Sequence, residues 1–136
     1  MIRDRSYRKL PSTPTRTLLI VDDNAEFRAL ARRIAESAGL EVIAEAADGV
    51  EALAVAATTN PDAVLLDVRL PGLDGITVAE LLAVRRSPPA VVLTSSTDAA
   101  GYGARLTTAP ARGFIPKEQL SARALGDLLV EAPCSP

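Results

Sequence analysis

Apolar residues gather in five short runs: "TLLIV" at 17–21, "LEVIAEA" at 40–46, "AVLLDV" at 63–68, "AVVLTS" at 90–95 and "RGFIP" at 112–116. Runs this short and this continuous suit strands buried on both faces of a parallel sheet. Between them the polar residues return with helical spacing at 24–38, closed by Gly39, and then at 49–58, 75–84, 98–108 and 121–131. The fourth of these helices is the weakest, because Gly101 and Gly103 each lower helix propensity by about 1 kcal/mol relative to alanine. Asn60-Pro61 and Pro88-Pro89 punctuate the entries to the third and fourth strands. Strand and helix alternate five times. That order predicts an α/β fold, a doubly wound five-stranded parallel sheet, since each right-handed crossover must pack its helix back onto the sheet.

In such a sheet, ligands bind beyond the carboxyl ends of the strands. The pattern places Asp22 and Asp23 after the first strand, Asp67 at the end of the third, Thr94 and Ser95 at the end of the fourth, and Lys117 after the fifth. Two adjacent carboxylates alone have a plain reading, in which one caps the next helix and the other is solvated. Three carboxylates, a hydroxyl and an ammonium converging from four strands are harder to explain that way, and they mark one functional crevice. Three carboxylates suit a hard divalent ion such as Mg²⁺ or Mn²⁺, which keeps several waters and binds through one or two protein carboxylates. A carboxylate beside such an ion can attack phosphorus and form an acyl phosphate, with Thr94 and Lys117 meeting the phosphoryl oxygens. Lys117 is one of only two lysines, with Lys9, among fifteen basic residues, so a compact point charge is wanted there, although a surface lysine in "PKEQLS" remains the plain alternative.

Composition narrows the setting. At 136 residues, 48% hydrophobic and 24% charged with a net charge of −2, the chain fits one globular domain without the basic excess that direct nucleic-acid binding needs. Cys134 is the single cysteine, which excludes a disulfide framework or a cysteine metal site. With neither an apolar run of membrane-spanning length nor a secretory signal at the start, the expected location is the cytoplasm. Charge is uneven, because residues 1–16 carry five basic side chains against Asp4. Together with Pro11 and Pro14 they read as a basic flexible extension, followed by one domain at 17–131 and a short tail at 132–136.

Four motifs in order, "LLIVDDN", "VLLDVRLPGLDG" with Asp67 45 residues after Asp22, "VVLTSS" and "GFIPK", resemble the receiver domain of two-component response regulators over about residues 16–131. The resemblance implies a flavodoxin-like strand order 2-1-3-4-5. It also implies that Asp67 accepts a phosphoryl group from a histidine kinase or phosphotransfer protein. Asp23, Asp67 and the backbone carbonyl of Arg69 would bind Mg²⁺ or Mn²⁺, and Asp22 would act through metal-bound water. Thr94 would hydrogen-bond the phosphoryl group, Lys117 would pair with it, and Phe114 would share the switch role with Thr94, beside its plain reading as a core phenylalanine. By the same resemblance Arg69 and Ser96 flank the path of the hydrolytic water. Such a chain is a signalling phosphoacceptor with self-phosphorylation and autodephosphorylation chemistry, not an enzyme acting on a separate substrate.

Pro71 and Gly72 shape a turn, and Asp74 is placed to cap the third helix. One departure from the family matters. Many receivers carry proline after the lysine, joined by a cis bond, whereas here Pro116 precedes Lys117 and Glu118 follows. A cis Lys117-Glu118 bond would cost about 2.5–4 kcal/mol, so a trans bond is expected. The chain has no histidine and cannot be its own donor. With no output domain after 131, output is expected through a downstream effector protein or a region absent from this chain. Two rivals stand beside the switch: a degenerate receiver serving as a phosphorylation-independent binding module, and an aspartate-nucleophile phosphohydrolase. The second usually has two aspartates two residues apart after the first strand, whereas Asp22 and Asp23 are adjacent. Arg105, Arg112, Arg123, Asp127 and Glu131 offer a homodimer face on the fourth and fifth helices, or a solvated mixed-charge surface.

Overall fold

The computed structural model describes residues 16–96 and 103–130. Most of the basic extension, the C-terminal tail, Glu131 and the start of the expected fourth helix lie outside these residues. The elements run β1 Thr17–Val21, α1 Ala25–Ser37, β2 Glu41–Ala46, α2 Gly49–Thr59, β3 Ala63–Asp67, α3 Gly75–Ala83, β4 Ala90–Ser95, α4 Ala104–Thr108, β5 Gly113–Pro116 and α5 Ala122–Leu129. All neighbouring strands pair in parallel, in the order β2-β1-β3-β4-β5. The expected strands hold to within a residue at each end, and a 3₁₀ turn at Lys117–Gln119, which periodicity did not reveal, follows β5.

Alternation along the strands explains why the apolar runs are continuous. Leu19, Val21, Val64, Leu66 and Leu93 face α2 and α3, whereas Leu18, Ile20, Leu65, Val92 and Ile115 face α1 and α5. Both sheet faces are covered, so no strand position of β3 is left for a polar residue until Asp67, its last. Full burial of each Leu or Ile side chain stabilises the fold by about 1.5–3 kcal/mol, before the entropy of ordering it is counted.

Four helices begin with a side-chain cap that satisfies first-turn N–H groups. Asn24 accepts from Glu26 N and Phe27 N, Asp48 from Glu51 N, Asp74 from Thr77 N and Ser121 from Ala124 N. The cap of α1 is therefore Asn24, and both Asp22 and Asp23 are released from that duty. Gly75, at the start of α3, meets the end of β3 so closely that a Cβ there would lie 2.1 Å from the Asp67 carbonyl oxygen. Only glycine fits, and the helix start thereby braces the backbone of Asp67. By contrast α4 is five residues long, has Gly103 at its N-cap position and so no side-chain cap, and buries none of its residues. Arg105 pairs with Asp74 at 3.1 Å, and Arg112 donates to the Leu128 carbonyl at 3.0 Å, so both make contacts within the chain on the face considered for dimerisation. No helix among the described residues is long and apolar enough to cross a membrane.

Candidate functional site

Because β1 and β3 are neighbours, their carboxyl ends bring Asp22, Asp23 and Asp67 together, with one carboxylate oxygen of each within 4.8 Å of the others. Asp22 is fully buried, Asp67 is 4% exposed and Asp23 faces solvent. Next to β3, Thr94 of β4 is in register with Asp67 and is also fully buried. Lys117 leaves the edge strand β5 and reaches back over the sheet, placing Nζ 2.7 Å from Asp22 Oδ2 and 3.3 Å from Asp67 Oδ2. Its ammonium lies 4.4 Å from the centroid of the Phe27 ring on α1, a cation–π contact that holds the charge against the carboxylates.

The remaining oxygens of the buried pair are satisfied by main-chain donors. Asn24 N donates to Asp22 Oδ1 at 2.9 Å, and Arg69 N donates to Asp67 Oδ1 at 3.0 Å. Arg28 fixes the same strand end from α1, donating through Nη1 to the Asp22 carbonyl and through Nε to Glu45 on β2 at 2.9 Å. Arg32 joins that pair at Glu45 Oε2, also at 2.9 Å. Burial, and then the two arginines, act in opposite directions on Glu45, and the arginines prevail to hold its carboxyl below the ordinary value.

Asp67 is the perturbed acid. Burial, and after it the charge of Asp22, push its pKa up to about 6 against the pull of the Arg69 N–H and of Lys117. Burial would lower the Lys117 ammonium, but its hydrogen bond to Asp22 and the charges of Asp67 and Asp22 raise it instead. Among the described residues Thr94 Oγ1 is buried with no hydrogen-bond partner. Leaving a hydroxyl so costs about 1–3 kcal/mol, and a buried polar atom at that cost asks for an acceptor that the protein itself does not supply.

The structure thus gathers Asp22, Asp23, Asp67, Thr94 and Lys117 at one edge, as the strand-end reading expects. Phe114 is half-buried against the α2 and α3 side of the core, and the side chains of Arg69 and Ser96 are exposed. No cis peptide bond occurs among the described residues, so Lys117-Glu118 is trans as expected. Phe27 and Arg28 were not legible as site residues. Their partners, Lys117 and Glu45, are distant in sequence, and nothing local distinguishes a phenylalanine above an ammonium from one in the core.

A family model of the response regulator receiver domain matches residues 18–128. The chain belongs to the response regulator receiver domain family. It is 45% identical over 80 residues to the protein-glutamate methylesterase/protein-glutamine glutaminase 5 of Myxococcus xanthus, covering 58% of this chain and 23% of that protein. Over 83 residues it is 45% identical to the positive alginate biosynthesis regulatory protein of Pseudomonas aeruginosa, covering 60% of this chain and 34% of that protein. The chain therefore spans about a quarter to a third of the length of these relatives, and their other activities are their own. Among solved structures it resembles the response regulator domain of CheB from Thermotoga maritima, at TM-score 0.70 and 25% identity over 88% of this chain and 100% of that one. A two-component response regulator of the LuxR family from Aurantimonas sp. superposes at TM-score 0.69 and 30% identity over 76% and 75%. This receiver is a two-component signalling domain.

Proposed function

We propose that this receiver is a working phosphorylation switch, acting in the cytoplasm, in which Asp67 takes a phosphoryl group from the phosphohistidine of a kinase or phosphotransfer protein. The observation that carries this reading is the buried Asp67 carboxylate lying within reach of Lys117 and in register with Thr94, whose hydroxyl has no partner. An ionised Asp67 oxygen attacks phosphorus as the bond from phosphorus to the donor nitrogen breaks, and that electron pair stays on the donor imidazole. Lys117 then exchanges its Asp67 contact for a phosphoryl oxygen, and Thr94 donates its hydroxyl to another.

The donor set fits a hard dication, since three carboxylates, two of them buried, face one ammonium. Asp23, Asp67 and the Arg69 carbonyl would hold Mg²⁺ or Mn²⁺. Asp22 Oδ1 accepts from Asn24 N, and Oδ2 is ion-paired with Lys117 at 2.7 Å, which suits Asp22 to contact through water. When bound, the ion neutralises charge on the transferring group. Output would pass to a downstream effector protein, or to a region outside this sequence.

Intact mass after treatment with acetyl phosphate and Mg²⁺ tests the reading. Wild type is expected to gain one phosphoryl group and Asp67→Asn none. Equal labelling of both would remove Asp67 from the role. A wild type that stays unlabelled would instead mark the chain as a binding module that works without phosphorylation.

A further inference from the structure

At the amino ends of β3, β4 and β5, the connections from α2, α3 and α4 border an open groove of about 1170 Å³. Arg16, Arg85, Arg86 and Arg112 line it, with Asp62 as the one carboxylate among its lining residues. Asp62 is already engaged, because its Oδ2 accepts from Thr17 N at 2.9 Å and from Thr17 Oγ1 at 3.1 Å. Arg85 and Arg112 donate to neutral groups. Arg85 Nη2 donates to the Ala56 carbonyl at 3.3 Å and to Asn60 Oδ1 at 3.4 Å, while its Nη1 is buried with no hydrogen-bond partner. Arg112 donates to the Leu128 carbonyl, and Arg86 is exposed with no hydrogen bond or ion pair among the described residues. In a chain of net charge −2, Arg85, Arg86 and Arg112 thus set three guanidinium groups with no ion pair among the described residues against the single carboxylate of Asp62 in one concavity.

The walls say which anion fits. Pro61, Pro88, Pro89 and Pro110 line the groove, and each fixes its own φ and removes a main-chain donor. A phosphate cradle built from successive backbone N–H groups is not what this lining provides. It offers guanidinium forks, which pair bidentately with carboxylates as they do with phosphates, between apolar proline rings that suit the side chains of a peptide better than a bare phosphate and hold their shape without an entropic cost on binding. We propose that the groove docks an acidic, Asp- and Glu-rich segment of a partner protein. The site lies at the opposite ends of the strands from Asp67, roughly 15 Å away along strands of this length. An occupant would leave the phosphoacceptor open, so the groove serves as an anchor whose use does not depend on the switch, and the inference stands apart from the phosphorylation reading.

The test is fluorescence anisotropy of a labelled oligoglutamate peptide titrated with the full chain at low salt. Saturable binding is expected, lost in about 1 M salt where the Debye length is about 3 Å. Reversing two exposed charges in Arg86→Glu/Arg112→Glu is expected to weaken binding by about tenfold or more. Asp67→Asn, which leaves the groove intact, should bind as wild type does. Thermal melts establish that the double variant is folded, and Arg86→Gln, at an exposed side chain, gives a second and milder arm with a smaller loss in the same direction. The proposal is overturned if the peptide does not saturate, if both groove variants bind as wild type does, or if Asp67→Asn abolishes binding. Tighter binding of a single-stranded DNA oligonucleotide or of inorganic pyrophosphate than of the peptide would overturn it equally, by assigning the groove to phosphates.

Discussion

The two sides of the strand edge that holds Asp67 are built differently. On the β1 and α1 side, Asp22 Oδ1 accepts from Asn24 N and Oδ2, without a hydrogen bond, is ion-paired with Lys117; its carbonyl accepts from Arg28, and Arg28 and Arg32 pair with Glu45. On the β4 and β5 side, Thr94 Oγ1 has none among the described residues, Phe114 is only half-buried and α4 buries no residue. Charge is fixed by ion pairs and main-chain donors on the first side, and a buried hydroxyl and a short helix that buries none of its residues are left uncommitted on the second. The proposed switch would need both, since a nucleophile must be positioned before transfer and something must be free to move after it.

Removing Lys117 should break the fixed side most severely. Lys117→Ala leaves the fully buried Asp22 facing Asp67 with no cation between them, and truncating one partner of a buried pair costs about 3–5 kcal/mol. Denaturant unfolding at neutral pH in metal-free buffer measures it. Added Mg²⁺ is expected to restore part of the loss, whereas a loss below about 1 kcal/mol would mean that Asp22 is not held by the lysine in solution.

Asp67→Asn should act in the opposite direction. Asp67 holds its proton up to about pH 6 in the folded chain, against an ordinary 3.8, so the folded state binds more protons than the unfolded between those values. Stability from this group is therefore lost as pH rises through that window. Asn cannot ionise, and in metal-free buffer the variant should be more stable than wild type by about 2–3 kcal/mol at pH 7, with the gain vanishing near pH 4. Glu45 and Asp74, whose pKa values are lowered, contribute stability that is lost as pH falls, but they do so equally in both proteins and cancel from the difference. Paired pH–stability curves test this, and parallel curves would contradict the burial of an ionisable group at 67.

Phe27→Leu keeps an apolar, smaller side chain and removes the ring face beneath Lys117. A cation–π contact at a partly desolvated site is worth about 1 kcal/mol, so a stability loss of that size is expected, which Lys117→Met should abolish when the two changes are combined. Additive losses would show that the ring serves packing alone.

Legibility in the sequence followed the same divide. The five strands could be placed because burial on both faces forces continuous apolar runs, and the strand-end residues Asp22, Asp67, Thr94 and Lys117 then followed from the rule that ligands sit at carboxyl ends. What stayed hidden was long-range. Nothing local told that Lys117 would prefer Asp22 at 2.7 Å over Asp67 at 3.3 Å, or that the capping residue would be Asn24 and not an aspartate. The fourth helix, given as 98–108 from its spacing, is described only as Ala104–Thr108, and residues 98–102 lie outside the described residues.

The smallest expected effect concerns how long a phosphoryl group would stay on Asp67. Acyl phosphates are lost when water attacks in line, and by resemblance the side chains flanking that path are Arg69 and Ser96. Both are exposed, and Arg69 also ties its backbone N–H to Asp67 Oδ1, which keeps its Cα close to the acceptor while its side chain can lie over the phosphoryl oxygens. Ser96 carries no carboxylate or amide to orient a water. Arg69→Asn should uncover the phosphoryl group, and Ser96→Glu should supply a group that positions the water, each shortening the lifetime. A single hydrogen bond is worth about 0.5–1.5 kcal/mol, or roughly a two- to tenfold change in rate, and the double variant should decay fastest. Decay of phosphorylated protein, followed by intact mass without kinase or phosphatase, measures each rate. Since Arg69→Asn leaves the main-chain contact to Asp67 in place, an unchanged lifetime in all three variants would mean that Arg69 acts on the site through its backbone alone, and that the solvent side of the edge does not gate hydrolysis.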